Sequence, residues 1–445
     1  MRYPFLRRLA NRPRSGAFLG AVLTATGAAA MSCSSDRAED PLTTPDAGQR
    51  PDAQSPVADA ATEDAGHDAD SSIEDASRID ASPLGVTCPS GSCATSLTTT
   101  LTGEGFCALL SDRTVACWGE NGSGQLGRGE VDAGDDTLPA RVTDLGGVTA
   151  LEHTCAIDGS GGVWCWGEGP YLRSTTTLTT IERTPVNLEI PAVTQLGVSA
   201  TTACAMTASG VVCWGSNAQS QIAPRAPGES VPTTPLLPTP ITFAREGQIR
   251  GIFVGDATFV LFDDGTVLSW GGNPPLGRVS SLVPDPYPAA LALQDIHGFA
   301  AAASGACALV GGVTYCWGTL LDAQLTDPRL PKPVALPEIA VQVATTPPEF
   351  AIPQRACVCA ASGSVYCWGT NTSGQAGDGT TANAPKPVKV AGLPGPAAQV
   401  RATATASCAL LTNGKIYCWG EGSKGQLGSG KADQPSLTPK EVVLP

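Results

Sequence analysis

Histidine is the scarcest functional residue of this chain, with three in 445 residues: His67, His153 and His297. General acid-base catalysis uses histidine most often, and zinc sites usually combine it with Cys-x-x-Cys pairs, which are also missing. A Gly-x-Ser-x-Gly nucleophile elbow, a phosphate-binding glycine loop and a twelve-residue calcium loop are absent too. The sequence therefore predicts no catalytic residues, no metal and no cofactor.

Basic residues are also few: 27 Lys and Arg stand against 41 Asp and Glu, which gives a net charge of -14. Because no basic patch is present to neutralise phosphates, nucleic acid is excluded as a partner. The candidate carboxylate pairs for acid-base chemistry are Asp135 with Asp136, Asp263 with Asp264, and Glu338 with Glu349. The two Asp pairs have no histidine or basic companion nearby in sequence and are interpreted as a polar loop and a hairpin turn.

The amino terminus carries five arginines before an apolar run over Gly16–Met31. This succession predicts a secretory signal over residues 1–32. The run ends in Ala30-Met31-Ser32-Cys33, which resembles a bacterial lipobox with Cys33 as the lipidated first residue of the mature protein. Ordinary cleavage nearby and a retained anchor are the alternatives. Since Ser34 follows the anchor, the sequence predicts an exported protein held in the bacterial envelope, at the outer membrane or cell surface.

Residues 33–86 form the next region, and the interval Asp36–Asp80 holds thirteen acidic residues against three arginines. A segment with almost no large apolar side chain cannot bury enough surface to offset its ordering entropy. We therefore predict a disordered acidic tether, with an end-to-end distance on the order of 40 Å.

A Trp-Gly unit recurs seven times after the tether, six times as Cys-Trp-Gly and once as Ser-Trp-Gly. Trp118 and Trp419 are separated by six steps of roughly 50 residues, a period typical of propellers and other repeat arrays. The seven tryptophans are Trp118, Trp166, Trp214, Trp270, Trp317, Trp368 and Trp419.

Each copy reads as four short strands. In the seventh copy we expect them at Val400–Thr405, around Cys408-Ala409-Leu410, at Ile416–Gly420 and at Pro439–Leu444. The middle pair forms a hairpin whose three-residue loop ends in Gly414, where a left-handed residue is required. In the first and third copies Arg113 and Ser209 occupy or adjoin this place, and the sequence pattern does not explain why glycine is missing there. Blades apolar on both faces must be sandwiched, so the sequence predicts an all-β, seven-bladed β-propeller over residues 87–445.

Twelve of the sixteen cysteines fall in pairs that this hairpin register places opposite each other. The fourth copy has Phe259 and Ser269 at these places, and joint presence and joint absence are typical of a bond. Opposed strand residues lie within disulfide range, and an exported chain meets an oxidising compartment. We predict six hairpin disulfides, which join Cys107 to Cys117, Cys155 to Cys165, Cys204 to Cys213, Cys307 to Cys316, Cys357 to Cys367 and Cys408 to Cys418.

Three further cysteines of the propeller region lie outside these pairs. Cys88 and Cys93 are expected to bond to each other. Cys359 is left over, and its place is that of Leu410 in the seventh copy, so it is interpreted as a small buried residue and not as a reactive thiol.

The repeats resemble those of the regulator of chromosome condensation family. His153-Thr154-Cys155-Ala156-Ile157 matches one strand of the family's unit, and an Asn-x-x-Gly-Gln-Leu-Gly loop is visible at Asn121–Gly127, Asn371–Gly377 and Gly425–Gly428. The resemblance covers Ala94–Pro445 and implies a seven-bladed propeller. The second to fifth copies lack an intact loop, which predicts one irregular rim. The kelch family, whose repeat has a similar period, is a minor alternative, because its double-glycine landmark is not repeated in this chain.

The family's functions imply protein binding, but the nuclear partners of its namesake are not expected for an exported acidic chain. We predict a monomeric, non-catalytic envelope propeller that binds an unidentified protein partner and meets the membrane only through its lipid anchor. Loops on a rigid scaffold are where binding resides, and the variable ones are Asn217–Pro240 and Gly169–Thr184. Alternatives are a glycan or small-ligand binder, for which the candidate loop aromatics are Tyr171, Tyr287 and Phe350, and an enzyme. Small residues (Ala302, Ala402, Ala404) are expected to line a narrow axial channel.

Overall fold

A computed structural model describes residues 82–445 except 90, 130–135, 175, 224–234, 274, 319–328, 348–354 and 433. All described residues lie in one compact unit, Glu74–Pro445. They form seven antiparallel sheets of four strands, and each sheet takes its strands consecutively from the chain. The predicted all-β, seven-bladed propeller is confirmed.

The seven blades repeat one strand order, and we number blades and strands along the chain. The first strands are β1 (Ala94–Thr99), β5 (Val148–Glu152), β9 (Val193–Val198), β13 (Ile249–Val254), β17 (Ile296–Ala302), β21 (Ala340–Thr345) and β25 (Ala397–Ala402). The second strands are β2 (Gly105–Leu110), β6 (Cys155–Asp158), β10 (Thr202–Thr207), β14 (Ala257–Phe262), β18 (Gly305–Val310), β22 (Arg355–Ala360) and β26 (Ala406–Leu411). The third strands are β3 (Val115–Gly119), β7 (Val163–Ser174), β11 (Gly210–Gly215), β15 (Val267–Gly271), β19 (Val313–Gly318), β23 (Val365–Gly369) and β27 (Ile416–Gly420). The fourth strands are β4 (Asp136–Arg141), β8 (Thr177–Asn187), β12 (Leu236–Ile241), β16 (Asp285–Ala290), β20 (Lys332–Val334), β24 (Ala384–Lys389) and β28 (Ser436–Glu441).

The outer strands of the seventh blade lie about three residues earlier than the sequence pattern predicted. The first strand ends at Ala402 because Thr403 starts the turn: its backbone N–H donates to the carbonyl of Ala406, 2.9 Å away. The fourth strand begins at Ser436, opposite Gly420. The two central strands were placed correctly, because the Cys-Trp-Gly pattern marks their register.

The hairpin turns show how two copies manage without glycine at the expected place. Gly414 has φ +78°, and Arg113 adopts φ +63° at the matching position of the first copy. An arginine can take this left-handed conformation, although at a cost that glycine does not incur. In the third copy Thr207 pairs with Gly210, so the loop has two residues and Gly210, at φ +111°, supplies the positive φ. The sequence interpretation had missed Gly210.

The hydrophobic core lies between blades, not within them. One cluster joins Trp118 and Phe106 of blade 1 to Leu410 and Ile416 of blade 7, and similar clusters join other neighbouring blades. Because both faces of a blade are apolar, each blade needs a neighbour on either side.

The ring closes between blades 7 and 1 by the contacts that join other blades. The backbone N–H of Val193 donates to the carbonyl of Gly161 in the preceding hairpin turn, and at the closure Ala94 donates to Gly414 in the same way, at 3.1 Å. First strands contact each other all the way round, from β1 to β25 and back to β1. They therefore surround the axis of the propeller.

Candidate functional site

The segment between the third and fourth strands of every blade opens at the same end of the propeller, because successive strands alternate in direction. We call this end the loop rim. The opposite end, the turn rim, carries the short hairpin turns between second and third strands. The loop rim is where the length and composition of the repeats vary, so it is the candidate binding surface.

The Gln-containing loops of the loop rim brace themselves through side-chain amides. In blade 1 the Asn121 side-chain oxygen accepts from the N–H of Leu126, 3.1 Å away, and the Gln125 side-chain oxygen accepts from the N–H of Ser123, 2.7 Å away. Asn371 and Gln375 make the same bonds in blade 6. These loops therefore present a fixed backbone to the next blade.

The fixed loops are joined to the following blade through its tryptophan. Six of the seven repeat tryptophans donate their indole N–H to a main-chain carbonyl of the preceding blade, and at the closure Trp118 of blade 1 donates to blade 7. The pairs within the described residues are Trp118 with Gln426 (3.1 Å), Trp166 with Gln125 (3.0 Å), Trp214 with Pro170 (2.6 Å), Trp270 with Gln221 (2.8 Å), Trp317 with Pro275 (2.7 Å) and Trp419 with Gln375 (2.9 Å).

The third blade keeps this loop geometry, which corrects the interpretation of Asn217–Pro240 as one variable loop. The Asn217 side chain accepts from Ile222, and Gln221 accepts from Gln219, as in blade 1. Ser220 has φ +56°, where blade 1 has Gly124 at +74°. Leu236–Ile241 then forms the fourth strand of the blade. The repeat was missed because Ser220 and Ile222 replace the glycine and leucine of the motif.

Gly169–Thr184 is not a loop either: β7 and β8 extend past the other blades as a long hairpin with its tip between Ser174 and Thr177. Tyr171, named as a loop aromatic, is buried and donates its hydroxyl to the carbonyl of Trp166, 2.5 Å away. On the hairpin, Arg173 makes two hydrogen bonds to the Glu182 carboxylate, at 2.6 and 2.8 Å. The second blade therefore presents a rigid arm.

The loop of blade 4 exposes apolar side chains although it is firmly braced. Val279, Val283 and Tyr287 are 72%, 75% and 59% exposed. The Arg278 guanidinium holds the base of this loop through the Asp285 carboxylate (2.8 Å), the Tyr287 carbonyl (2.9 Å), and the Ser269 carbonyl and hydroxyl (3.0 and 3.2 Å).

Ser269 is the residue that replaces a cysteine in the fourth copy, so the one blade without the cysteine pair uses this position to anchor its loop. The indole of Trp317 and the ring of Phe299 pack against Phe259, which replaces the other cysteine. The substitution of the pair thus exchanges a crosslink for an aromatic cluster and a loop anchor.

The described residues contain seven disulfides, and these bonds join the cysteines that the sequence paired. Cys88 is bonded to Cys93, with their Cα atoms 5.9 Å apart. The Cα atoms of each hairpin pair are 4.0 or 4.1 Å apart, because the two residues face each other across the second and third strands of a blade. These bonds join Cys107 to Cys117, Cys155 to Cys165, Cys204 to Cys213, Cys307 to Cys316, Cys357 to Cys367 and Cys408 to Cys418.

Cys359 is the free cysteine among the described residues, and it is buried. Its burial raises the pKa of the thiol to about 12. A thiol with so high a pKa is unreactive at neutral pH.

The candidate acid-base residues are held in structural roles. Asp264 pairs with Arg245 at 2.6 Å, and Glu338 accepts from the Tyr366 hydroxyl at 2.6 Å. His153, at φ +51°, lies 3.1 Å from the Thr99 hydroxyl through its Nδ1, and burial lowers its pKa to about 4. It is therefore neutral at pH 7.

Within the described residues no group of three or more His, Cys, Asp or Glu side chains could hold a metal ion, and no helix there is long and apolar enough to cross a membrane. Cys33, the signal over residues 1–32, most of the acidic tether, Asp135, Glu349 and Phe350 lie outside the described residues.

An axial cavity of about 260 Å³ is lined almost entirely by residues of the first strands or directly following them. The predicted lining by Ala302, Ala402 and Ala404 is wrong, because these residues are buried away from it. The residues that face the cavity include Thr98, Glu152, Phe253 and Arg401.

Comparison with known proteins identifies the repeats. The regulator of chromosome condensation (RCC1) repeat matches residues 362–410 and 413–445. The ultraviolet-B receptor UVR8 of Arabidopsis thaliana is 28% identical over 352 residues, covering 73% of this chain and 77% of the receptor. A zebrafish (Danio rerio) E3 ubiquitin-protein ligase, MYCBP2, is 37% identical over 84 residues, which are 19% of this chain and only 2% of the ligase.

Among solved structures, Prp20p from Saccharomyces cerevisiae, described with its binding properties to Gsp1p and histones, superimposes with a TM-score of 0.58 at 21% identity. The alignment covers 75% of this chain and 87% of that one. At this identity the likeness concerns the fold alone.

Proposed function

Because the chain belongs to the regulator of chromosome condensation repeat family, we propose that it is a non-catalytic, monomeric protein-binding propeller whose partner contacts the loop rim on blades 2 to 4. Binding of proteins by Prp20p supports this class of function. The acidic net charge and the exported location predicted from the sequence argue for a different partner from the Gsp1p and histones described for Prp20p.

The observation that supports this proposal most directly is the loop of blade 4, which is held by hydrogen bonds and exposes apolar side chains. Val279 and Val283 are exposed to solvent on a loop whose base is fixed by Arg278. Across the same loop, the Asn273 side chain donates to the carbonyl of Leu282, 2.9 Å away. Exposed apolar side chains on a pre-organised loop lose little entropy on binding, which favours a protein partner.

The glycan alternative depends on rim aromatics. Tyr171 is buried, which leaves Tyr287 as the exposed aromatic among the two candidates that the structure describes. One exposed ring offers less stacking surface than a sugar-binding rim needs, so protein binding is the better proposal.

Partner capture tests the loop. The full chain is purified from envelope fractions of its host after crosslinking and compared with the double variant Val279→Ser, Val283→Ser. The matched control is Val443→Ser, which alters a 60% exposed valine after the last strand, toward the turn rim. We expect at least a tenfold loss of crosslinked partner in the double variant only. Equal capture by all three proteins would contradict the proposal.

Residues 225–233 of blade 3 provide a second test. Replacing them with an equal number of Gly and Ser residues should weaken capture and leave the melting temperature within about 2 °C. A longer deletion of residues 219–238 would also destabilise the blade, because it removes Gln221, whose carbonyl accepts from Trp270, and the start of β12. Unchanged capture after the replacement would restrict the partner to blades 2 and 4.

We also propose that Cys33 is lipidated and that residues 33–86 tether the propeller to the outer membrane or cell surface. The disulfides support an oxidising, extracytoplasmic compartment. Cys33→Ala should release the protein from the membrane fraction, as measured by fractionation and by metabolic labelling with a palmitate analogue. A variant that stays fully membrane-bound would require another anchor.

A further inference from the structure

The axial cavity carries a chemical pattern that the loop-rim function does not use. One residue of each first strand lies opposite the residue at the first cysteine position of the second strand, and these seven residues therefore occupy one level of the axis. They are Thr98, Glu152, Gly197, Phe253, Ala300, Ala344 and Arg401. All but Gly197 line the cavity.

The seven residues divide into a charged side and an apolar side. Blades 7, 1 and 2 contribute Arg401, Thr98 and Glu152 in succession. Blades 4, 5 and 6 contribute Phe253 and two alanines, and the Phe253 ring is reinforced by Phe299, 4.9 Å away between ring centroids. A closed ring places these two groups across the axis from each other.

The two charged side chains keep most of their hydrogen-bonding capacity. Arg401 donates to the carbonyl of Val400 at 3.0 Å, and the Glu152 carboxylate lies 3.8 Å from the His153 ring, which is neutral at pH 7. No ion pair joins Arg401 to Glu152, although both belong to the described residues. Glu152 is 42% exposed, to the interior of the cavity.

Burial acts against both charges. It raises the pKa of Glu152 to about 7, although the positive charge of Arg401 works the other way, and it lowers the pKa of Arg401. Charges that are partly withdrawn from water and lack full partners are costly, and a ligand that supplied the opposite charges would relieve that cost.

We propose that the axial cavity binds a free α-amino acid with an apolar side chain. The ligand carboxylate accepts from the Arg401 guanidinium, its ammonium group donates to the Glu152 carboxylate, and its side chain packs against Phe253 and Ala300. At about 260 Å³ the cavity is smaller than the sites of drug-sized ligands and suits a molecule of this size.

The segment that precedes the propeller is the competing occupant. Pro83 lines the cavity, and the oppositely charged Arg78 and Asp80 precede it in the sequence by five and three residues. A free amino acid is the better candidate because a single carbon carries both of its charged groups, together with an apolar side chain for the opposite wall.

Calorimetric titration of the full chain with leucine tests the site. We expect saturable binding, and at least tenfold weaker binding of 4-methylpentanoate, which lacks the amine, and of 3-methylbutylamine, which lacks the carboxylate. No binding of leucine, or equal binding of all three probes, would overturn the proposal.

Variants assign the binding to the cavity. Arg401→Gln and Glu152→Gln should each weaken leucine binding at least tenfold, whereas the matched controls Arg141→Gln and Glu441→Gln, at exposed ion pairs with Asp112 and Lys415, should not. Arg401→Lys keeps the charge and should retain part of the affinity, which covers the case that Arg401→Gln does not fold. Unchanged affinity in Glu152→Gln and in the Arg401 variants would place leucine elsewhere and overturn the site.

One further variant separates the two occupants. In the double variant Arg78→Ser, Asp80→Ser the affinity for leucine should equal that of the unmodified chain. If leucine binds only to this variant, the chain's own segment fills the cavity, and the proposal of a free amino acid fails.

Discussion

Blades 6, 7 and 1 form a regular arc, in which the Gln loops follow the family's motif, whereas blades 2 to 5 form a variable arc. The RCC1 repeat matches fall in blades 6 and 7. Yet Trp214 and Trp317 of the variable arc still donate to a main-chain carbonyl of the preceding blade, Trp214 to Pro170 and Trp317 to Pro275. Because the acceptor is main-chain, the loop side chains can change while the blade junction persists.

The largest loss of stability is expected in the regular arc, at the buried side chain of Arg355. It donates to carbonyls of Gln375 (2.6 Å) and Ala406 (3.2 Å) between blades 6 and 7, and burial lowers its pKa to about 9. Arg355→Met removes both of these hydrogen bonds from a charged donor, each worth about 1.5–3 kcal/mol, and should cost about 3–5 kcal/mol in total. Guanidinium unfolding followed by tryptophan fluorescence measures it. The exposed Arg141→Met should cost less than about 1 kcal/mol, and similar losses would contradict the assignment.

The next prediction compares blade 7, which has a hairpin disulfide, with blade 4, which has none. The double variant Cys408→Ala, Cys418→Ala should lower stability by about 2–3 kcal/mol, as measured by the denaturation midpoint without reductant. Introducing a cysteine pair by Phe259→Cys and Ser269→Cys should not give a corresponding gain, because Phe259 packs against an aromatic cluster and Ser269 anchors Arg278. A large gain in blade 4 would mean that its aromatic cluster contributes little.

Tryptophan substitutions test whether the two arcs share one junction. Trp317→Phe in the variable arc and Trp419→Phe in the regular arc each remove one indole N–H from a buried carbonyl, at 2.7 and 2.9 Å. Each should cost about 1–3 kcal/mol. Thermal unfolding measures both, and a loss confined to Trp419→Phe would show that the proline loop does not replace the Gln loop.

The smallest expected effect is a pH-dependent change in stability that involves Glu152, which lies at the axis where the two arcs meet. The folded-state pKa of Glu152, about 7, exceeds its usual value of 4.5. Below 4.5 the group is protonated in both states; as pH rises from 4.5 to 7, ionisation increasingly destabilises the fold, and the penalty is constant above 7.

Glu152→Gln removes that penalty. The variant's stability relative to the unmodified chain should therefore rise by about 1–2 kcal/mol between pH 5 and pH 8, a range reduced for the water that reaches the carboxylate. Denaturation midpoints without added amino acids measure the difference. A pH-independent difference would show that Glu152 keeps an ordinary pKa.

The sequence sufficed for the fold because the Cys-Trp-Gly pattern fixes the register of the two central strands in each blade. From that register the opposed cysteines and the apolar faces follow directly. The first and fourth strands were displaced because short, Pro- and Ala-rich segments carry little periodicity.

The candidate site was harder to predict. Long intervals between motifs were interpreted as loops. In the structure, however, Tyr171 lies in the extended strand β7 and Leu236 begins strand β12. The blade 4 loop was not singled out, because exposure of Val279 and Val283 depends on tertiary packing. The axial level of Arg401 and Glu152 emerges only when residues 249 positions apart are aligned by strand pairing.

Every blade is a single stretch of chain, and five to seven residues connect each fourth strand to the next first strand. The closure repeats the ordinary junction, with Ala94 bound to Gly414 and Trp118 to Gln426. The junction between the first and last blades is therefore structurally equivalent to the other junctions of the ring. Joining the present ends with a connector of ordinary length and opening the chain between blades 3 and 4 would leave every blade intact. Such a circular order lets a lineage move its termini, and whatever is attached to them, from one blade boundary to another without redesigning the scaffold.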